Sequence, residues 1–241
     1  MFFKKTNTRG SGRALGGYAG LVHRVQCAIG WVAAASLMLA TAFPVFAQTT
    51  AKAAPAAQQA RTVLVMGDSL SAGYGLAASQ GWVALTADRI AKTKPGWRVV
   101  NASISGETTA GGAARIDGEL KRNKPAVVVI ELGANDGLRG LPLAQSRANL
   151  DRMITASKKS GAKVLLIGMR MPPNMGREYT QAFSDNYGAL AKQHDIALLP
   201  FLLEPIALDR TAFQDDNLHP IASAQPKLRD HVWTQLAPLL R

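Results

Sequence analysis

The sequence predicts an α/β protein, a three-layer α/β/α sandwich around a five-stranded parallel sheet. Short apolar runs rich in β-branched residues alternate with longer helix-like stretches, five times in succession. Runs such as Val127-Val128-Val129-Ile130 and Val164-Leu165-Leu166-Ile167 carry no polar alternation, the pattern of strands buried on both faces. In such sheets ligands bind beyond the carboxyl ends of the strands, so the loops that follow each strand hold the candidates for function.

The elements follow in order. Residues 62–66, 98–102, 126–132, 163–169 and 196–200 read as strands, and residues 82–92, 109–122, 143–160, 177–194 and 221–240 as the helices between and after them. Gly161 marks a helix stop, and Pro220 stands where the first turn of the last helix is expected. No internal repeat is present.

The chain has 241 residues, formal charge +12, 47% hydrophobic and 18% charged residues, which suits one soluble globular domain with a good-sized core. Its first residues read differently. Lys4, Lys5, Arg9, Arg13 and Arg24 precede an apolar run over residues 27–46 that closes in Val45-Phe46-Ala47. A basic segment, an apolar segment and a small-residue site in that order predict an export signal over residues 1–47, cleaved after Ala47, and a periplasmic or secreted product. An uncleaved anchor is the alternative, because the run approaches the ~20 residues of a membrane span. Cleavage removes Cys27, the only cysteine, and leaves 23 basic against 16 acidic residues, a net +7. Residues 48–60, small, polar and without periodicity, read as a disordered tether, which leaves residues 61–241 as the domain. The remaining basic residues are scattered along the chain with no stacking motif among them, so a solvated basic surface is expected rather than nucleic-acid binding.

The first strand breaks at once into Gly67-Asp68-Ser69-Leu70-Ser71-Ala72-Gly73, which places Ser69 at the edge where an open sheet carries its chemistry. A serine hydroxyl becomes a nucleophile when a base takes its proton, and the base works best when a carboxylate fixes its tautomer. Downstream of residue 47 there are three histidines. His194 and His231 fall on polar helix faces and are expected to be solvated. His219 lies in Asp215-Asp216-Asn217-Leu218-His219-Pro220, where a three-residue spacing lets Asp216 meet one imidazole nitrogen; a plain helix cap is the alternative. Acyl transfer also needs donors for an oxyanion. Gly106, in Ser103-Ile104-Ser105-Gly106-Glu107-Thr108, offers a backbone N–H or is a turn glycine; Asn135, in Glu131-Leu132-Gly133-Ala134-Asn135-Asp136-Gly137, offers a side-chain amide or forms an Asx turn.

The four segments GDSLSAGYG, NASISGET, ELGANDG and DDNLHP together resemble, in order, the four blocks of the SGNH or GDSL hydrolases, and the resemblance runs from Thr62 to about Leu239. Within that family the sequence is most similar to bacterial enzymes described as acyl-CoA thioesterase, lysophospholipase or arylesterase. The resemblance implies a flavodoxin-like sheet, Ser69 as nucleophile, His219 as base and Asp216 as its orienting acid. It also implies an oxyanion hole of the Ser69 N–H, the Gly106 N–H and the Asn135 side chain. Two positions depart from the pattern, Glu107 in place of Asp and Ala134 in place of Gly, and both neighbour the donors. The more common G-x-S-x-G elbow is absent, since Ser71 occupies its last position.

The loops at 138–142 and 169–175 are apolar and follow the third and fourth strands, so Leu70, Leu138, Leu141, Met171 and Pro172 are candidates for an acyl groove; packing of these loops against the core is the alternative. The expected function is hydrolysis of acyl esters and thioesters through an acyl-serine, with carbohydrate or cell-wall O-acetyl ester hydrolysis as the second reading. No cofactor or metal is expected, since the chain has no HExxH and no cysteine pair. The expected partner is a small acyl ester or thioester, with transient contact with membrane lipid and a monomeric state. A phosphate-cradling role for Gly73 and Gly75 would leave Asp216 and His219 without use, and the loop lacks the lysine of a P-loop.

Overall fold

The structure is a computed structural model that describes residues 60–241. The readings of residues 1–47 as an export signal and 48–60 as a tether fall outside it, apart from Ala60, an exposed residue just ahead of the first strand.

Five strands, β1 (Arg61–Gly67), β2 (Trp97–Asn101), β3 (Val127–Glu131), β4 (Lys163–Ile167) and β5 (Ala197–Leu199), form one parallel sheet in the order β2-β1-β3-β4-β5. β1 and β3 are buried almost throughout, as their uninterrupted apolar sequences require. Leu165 and Leu166 are neighbours in β4 and so face opposite sides of the sheet, yet both are fully inaccessible. Truncating either to Ala is worth about 2–5 kcal/mol, because each side of the sheet is a packed core.

The principal helices are α2 (Trp82–Thr93), α3 (Thr109–Asn123), α5 (Leu143–Lys159), α6 (Arg177–His194) and α7 (Gln225–Leu236), with single-turn helices α1 (Ser69–Ala72) and α4 (Ala134–Leu138) at the ends of β1 and β3. α2 packs with α7, while α3 packs with α5 and α5 with α6, which gives a helical layer on each face. Right-handed crossovers explain the division. From β1 the chain steps to β2 on one side, then returns past β1 to β3 and continues to β5, so the connection through α2 lies on the face opposite α3, α5 and α6. The reversal leaves a crevice at the carboxyl ends of β1 and β3, the switch point of such sheets.

Two expectations need correction. The last helix does not start at residue 221: Ala222–Ala224 forms a single 3-10 turn, α7 begins at Gln225 with Pro226 in its first turn, and Ala237–Leu239 is again 3-10. Pro220 is held instead in an antiparallel bridge with Phe213. Nor are His194 and His231 solvated. His194 Nε2 lies 2.7 Å from Asp151 Oδ1, and His231 Nε2 lies 3.0 Å from the Phe201 carbonyl oxygen, so both fasten helices to their neighbours.

Candidate active site

Ser69 opens α1 immediately after β1. Asp68 is its N-cap, with Oδ1 accepting from the Leu70 N–H at 3.0 Å, and Gly73 ends the turn in the left-handed region at φ 78°. Gly67 has a packing reason: a Cβ there would stand 2.6 Å from the Ser71 side chain and 2.9 Å from Glu131 Oε2. The strand therefore ends against a buried carboxylate, and the next residues turn sharply enough to present the Ser69 hydroxyl.

Ser69 Oγ lies 2.8 Å from His219 Nε2, and His219 Nδ1 lies 2.6 Å from Asp216 Oδ2. The other Asp216 oxygen accepts the backbone N–H groups of Leu218 and His219, each at 2.9 Å, in a turn where Asn217 takes φ 56°. Partial desolvation of Asp216 would raise its pKa, but the His219 N–H, the His219 ring and the Leu218 N–H outweigh it and hold the carboxyl at about 2. An ionised Asp216 assigns the imidazole proton to Nδ1, leaving Nε2 as acceptor for the Ser69 hydroxyl. The hairpin bond from the Gln214 N–H to the His219 carbonyl at 2.7 Å fixes the turn, and the Tyr74 ring packs on the imidazole with centroids 4.6 Å apart. Asp216 and His219 cap no helix, which removes the alternative reading of that segment.

The two donor loops meet the same crevice. Gly106 takes φ 79°, and neither its N–H nor that of Ser69 has a hydrogen-bond partner among the described residues. Asn135, in α4, donates from Nδ2 to the Glu107 carbonyl at 2.9 Å and to Asp68 Oδ2 at 3.3 Å, while Arg139 Nη2 donates to the Gly106 carbonyl at 3.2 Å. Residues Asn135 and Arg139 thus clamp the Gly106 loop against α4. At the two departures from the family pattern, the Glu107 carboxylate pairs with Arg115 at 2.7 Å, and Ala134 is buried against the crevice.

A groove of about 380 Å³ runs from these groups. Four of the five sequence candidates line it: Leu70, Leu138, Met171 and Pro172. Leu141 does not. After α4, Gly140 at φ 64° turns the chain back so that the Leu141 N–H bonds the Asp136 carbonyl, and its side chain falls outside the lining. Sequence reasoning also missed the far wall, Phe201, Leu203, Phe213 and Leu218. The signal was available, because Phe201 and Leu203 directly follow β5, and Phe213 and Leu218 flank the Asp216 turn.

Two acids of these segments are buried at the ends of their strands, Asp68, which also lines the groove, and Glu131. Burial pushes Asp68 up to about 6, against the pull of the Leu70 N–H and the His219 charge. Glu131 is inaccessible and is pushed well above the usual carboxyl range by burial and by the neighbouring Asp68 charge, although Ser71 Oγ donates to its Oε2 at 2.6 Å. Among the described residues no cluster of three His, Cys, Asp or Glu side chains offers a metal site.

A doubly wound sheet with serine, histidine and aspartate hydrogen-bonded in series across its switch point defines a class of ester hydrolase. The chain belongs to the GDSL-like Lipase/Acylhydrolase family, whose profile matches residues 65–225, and it acts on ester bonds. Among curated relatives it is similar to Esterase TesA of Pseudomonas aeruginosa, with 53% identity over 75% of this chain and 90% of the relative. It is also similar to Thioesterase 1/protease 1/lysophospholipase L1 of Escherichia coli K12, with 45% identity over 76% of this chain and 87% of the relative. The crystal structure of TesA superposes with a TM-score of 0.72 at 52% identity, covering 74% of this chain and 99% of that one.

Proposed function

We propose that the protein is an exported serine hydrolase that cleaves carboxylic esters and thioesters of acyl chains through an acyl-serine intermediate. The observation that carries this reading is the unbroken series Ser69 Oγ, His219 and Asp216, at 2.8 and 2.6 Å, opening onto an apolar groove. His219 Nε2 takes the Ser69 proton as Oγ attacks the carbonyl carbon, and the proton passes to the leaving alcohol or thiol as its bond to carbon breaks. Water, deprotonated by the same nitrogen, then releases the acid. The Ser69 and Gly106 N–H groups and Asn135 Nδ2 receive the oxyanion in both steps, Asn135 giving up its longer contact with Asp68 to do so. The groove walls take the acyl chain.

Export rests on the N-terminal pattern of basic segment, apolar segment and small-residue site. Outside the cytoplasm coenzyme A thioesters are not expected to be plentiful, so lysophospholipids or other esters are the closer physiological substrates, and thioester cleavage is a capability of the same site. Relatives named esterase, thioesterase and lysophospholipase agree with a site tolerant of the leaving group.

A series of p-nitrophenyl esters from acetate to palmitate, hydrolysed by residues 48–241, tests the reading. The expected outcome is an optimum at medium or long chains and a loss of roughly 10⁴-fold or more in Ser69→Ala with the fold intact. Activity confined to acetate would move the assignment to deacetylation of a carbohydrate, and more than about a tenth of the activity surviving in Ser69→Ala would remove Ser69 as nucleophile.

A further inference from the structure

The edge of the sheet opposite the active site carries most of the basic excess. In a parallel α/β fold each helix returns its carboxyl end to the edge where the next strand begins, so residues far apart in sequence converge there. Lys92 lies in the last turn of α2 and Lys94 caps it; Lys121 and Arg122 end α3, and Lys124 caps it. Lys158 and Lys159 end α5, and Lys192 lies in the last turn of α6. β1 and β4 open on the same edge with Arg61 and Lys163. The acids among them are Glu119, mostly buried and paired with Arg122, and Asp195, the C-cap of α6. Among the described residues Lys92, Lys121, Lys124, Lys159 and Lys192 form no ion pair.

Complementing the helix macrodipole accounts for bases in last turns. The bases that open strands have bonds of their own, Arg61 to the Arg241 carbonyl oxygen and Lys163 to that of Leu239 at 3.3 Å, but neither these nor the dipole account for the shortage of acids between them. The catalytic edge contrasts, since the bases that follow strands or open helices there, Arg139, Arg170, Arg177, Arg210 and Lys227, are matched in number by Glu178, Glu204, Asp209, Asp215 and Asp216.

We propose that this basic edge docks the protein on an anionic lipid bilayer, with the active site turned to the aqueous side. The bases spread across the width of five strands and the helical layers on both sides, a broad face rather than a groove that would follow a polynucleotide. Trp97, which opens β2 here, is 7% exposed and lies under the Arg61 guanidinium at 4.2 Å, and Trp233, in the last turn of α7, is half-buried under the Arg89 guanidinium at 5.2 Å, so neither ring is a free stacking platform for bases. Anionic headgroups attract each basic residue near their surface, and the attractions sum. The length of β1, roughly 20 Å at the usual rise per residue, exceeds the Debye length of about 8 Å at physiological salt. Docking therefore leaves hydrolysis of a soluble ester unchanged.

The test is co-sedimentation of residues 48–241 with vesicles of phosphatidylcholine containing one-third phosphatidylglycerol, with phosphatidylcholine vesicles and duplex DNA as comparisons. Binding is expected to the anionic vesicles at low salt and to be lost at high salt and on phosphatidylcholine alone. The triple variant Lys121→Gln/Lys159→Gln/Lys192→Gln is expected to bind at least about tenfold more weakly. The equally charged variant Arg177→Gln/Arg210→Gln/Lys227→Gln, which removes bases at the catalytic edge, where Lys227 acts on Asp209, is expected to change binding by less than about threefold. Both variants are expected to hydrolyse a short soluble ester at the parent rate, which reports that they fold. Equal losses in the two variants, no binding to anionic vesicles, or binding to DNA without binding to vesicles would each overturn the proposal.

Discussion

The Asp68 carboxylate, one residue before Ser69, is 1% exposed and still accepts from the Leu70 N–H and from Asn135. Its pKa is raised from 3.8 to about 6, chiefly by burial, so its sign is the reverse of a salt-bridged acid. Below pH 3.8 it is protonated in the folded and unfolded chain alike and its contribution to stability is fully present; as pH rises through about 6 that contribution is lost. Asp68→Asn, which can still cap α1, is therefore expected to stabilise the protein at pH 8 by about 1–3 kcal/mol and to do little at pH 4. Thermal unfolding at the two pH values checks this, and an equal change at both would contradict it. Asp216 behaves oppositely: held at about 2, it remains ionised until strongly acid pH. The meeting of Ser69, His219 and Asp216 was legible in the sequence because a hydroxyl, an imidazole and a carboxylate that can be hydrogen-bonded in series have few alternatives in short polar segments. The depth of Asp68 and its bond to Asn135 were not, because burial belongs to the packing of two loops.

At the scale of elements, α4 and the loop before it join chemistry to packing. Gly133 takes φ 122°, and a Cβ there would lie 2.2 Å from the Tyr187 hydroxyl, which donates to the Leu132 carbonyl at 3.0 Å. Gly133→Ala is expected to cost about 2–4 kcal/mol, through both the backbone and the clash. In a Tyr187→Phe background, where the hydroxyl is gone, the same change is expected to cost about half as much; denaturant melts of the four proteins measure the difference. Leu138, the last residue of α4, is 42% exposed and lines the groove, so it can be enlarged without disturbing the core. Leu138→Trp is expected to lower the preference for octanoate over acetate by roughly tenfold with acetate turnover retained, as a kcat/KM comparison of the two p-nitrophenyl esters would show. The strands were readable because continuous apolar runs have one explanation in an α/β chain. The start of α7 was not, since Pro220 and Pro226 are equally good first-turn residues and the Phe213 bridge, a contact across a turn, decides between them.

For the whole molecule, the sheet order sends chemistry to one edge and basic charge to the other. The first consequence was foreseeable from the rule that ligands bind beyond strand ends. The second was not: bases scattered along the sequence read as a general solvated surface, and only the repeated return of helix ends to one edge gathers them. The whole molecule also offers the most direct test of the central claim, that Ser69 carries the acyl group. After incubation with diethyl p-nitrophenyl phosphate, which transfers its phosphoryl group to an activated serine, intact mass and peptide mapping would follow the label as activity is lost. The account predicts one diethylphosphoryl group per chain, on the peptide that contains Ser69, in proportion to the activity lost, and none in His219→Ala. Full inactivation with the label on another residue, or full labelling of Ser69 with activity retained, would contradict it.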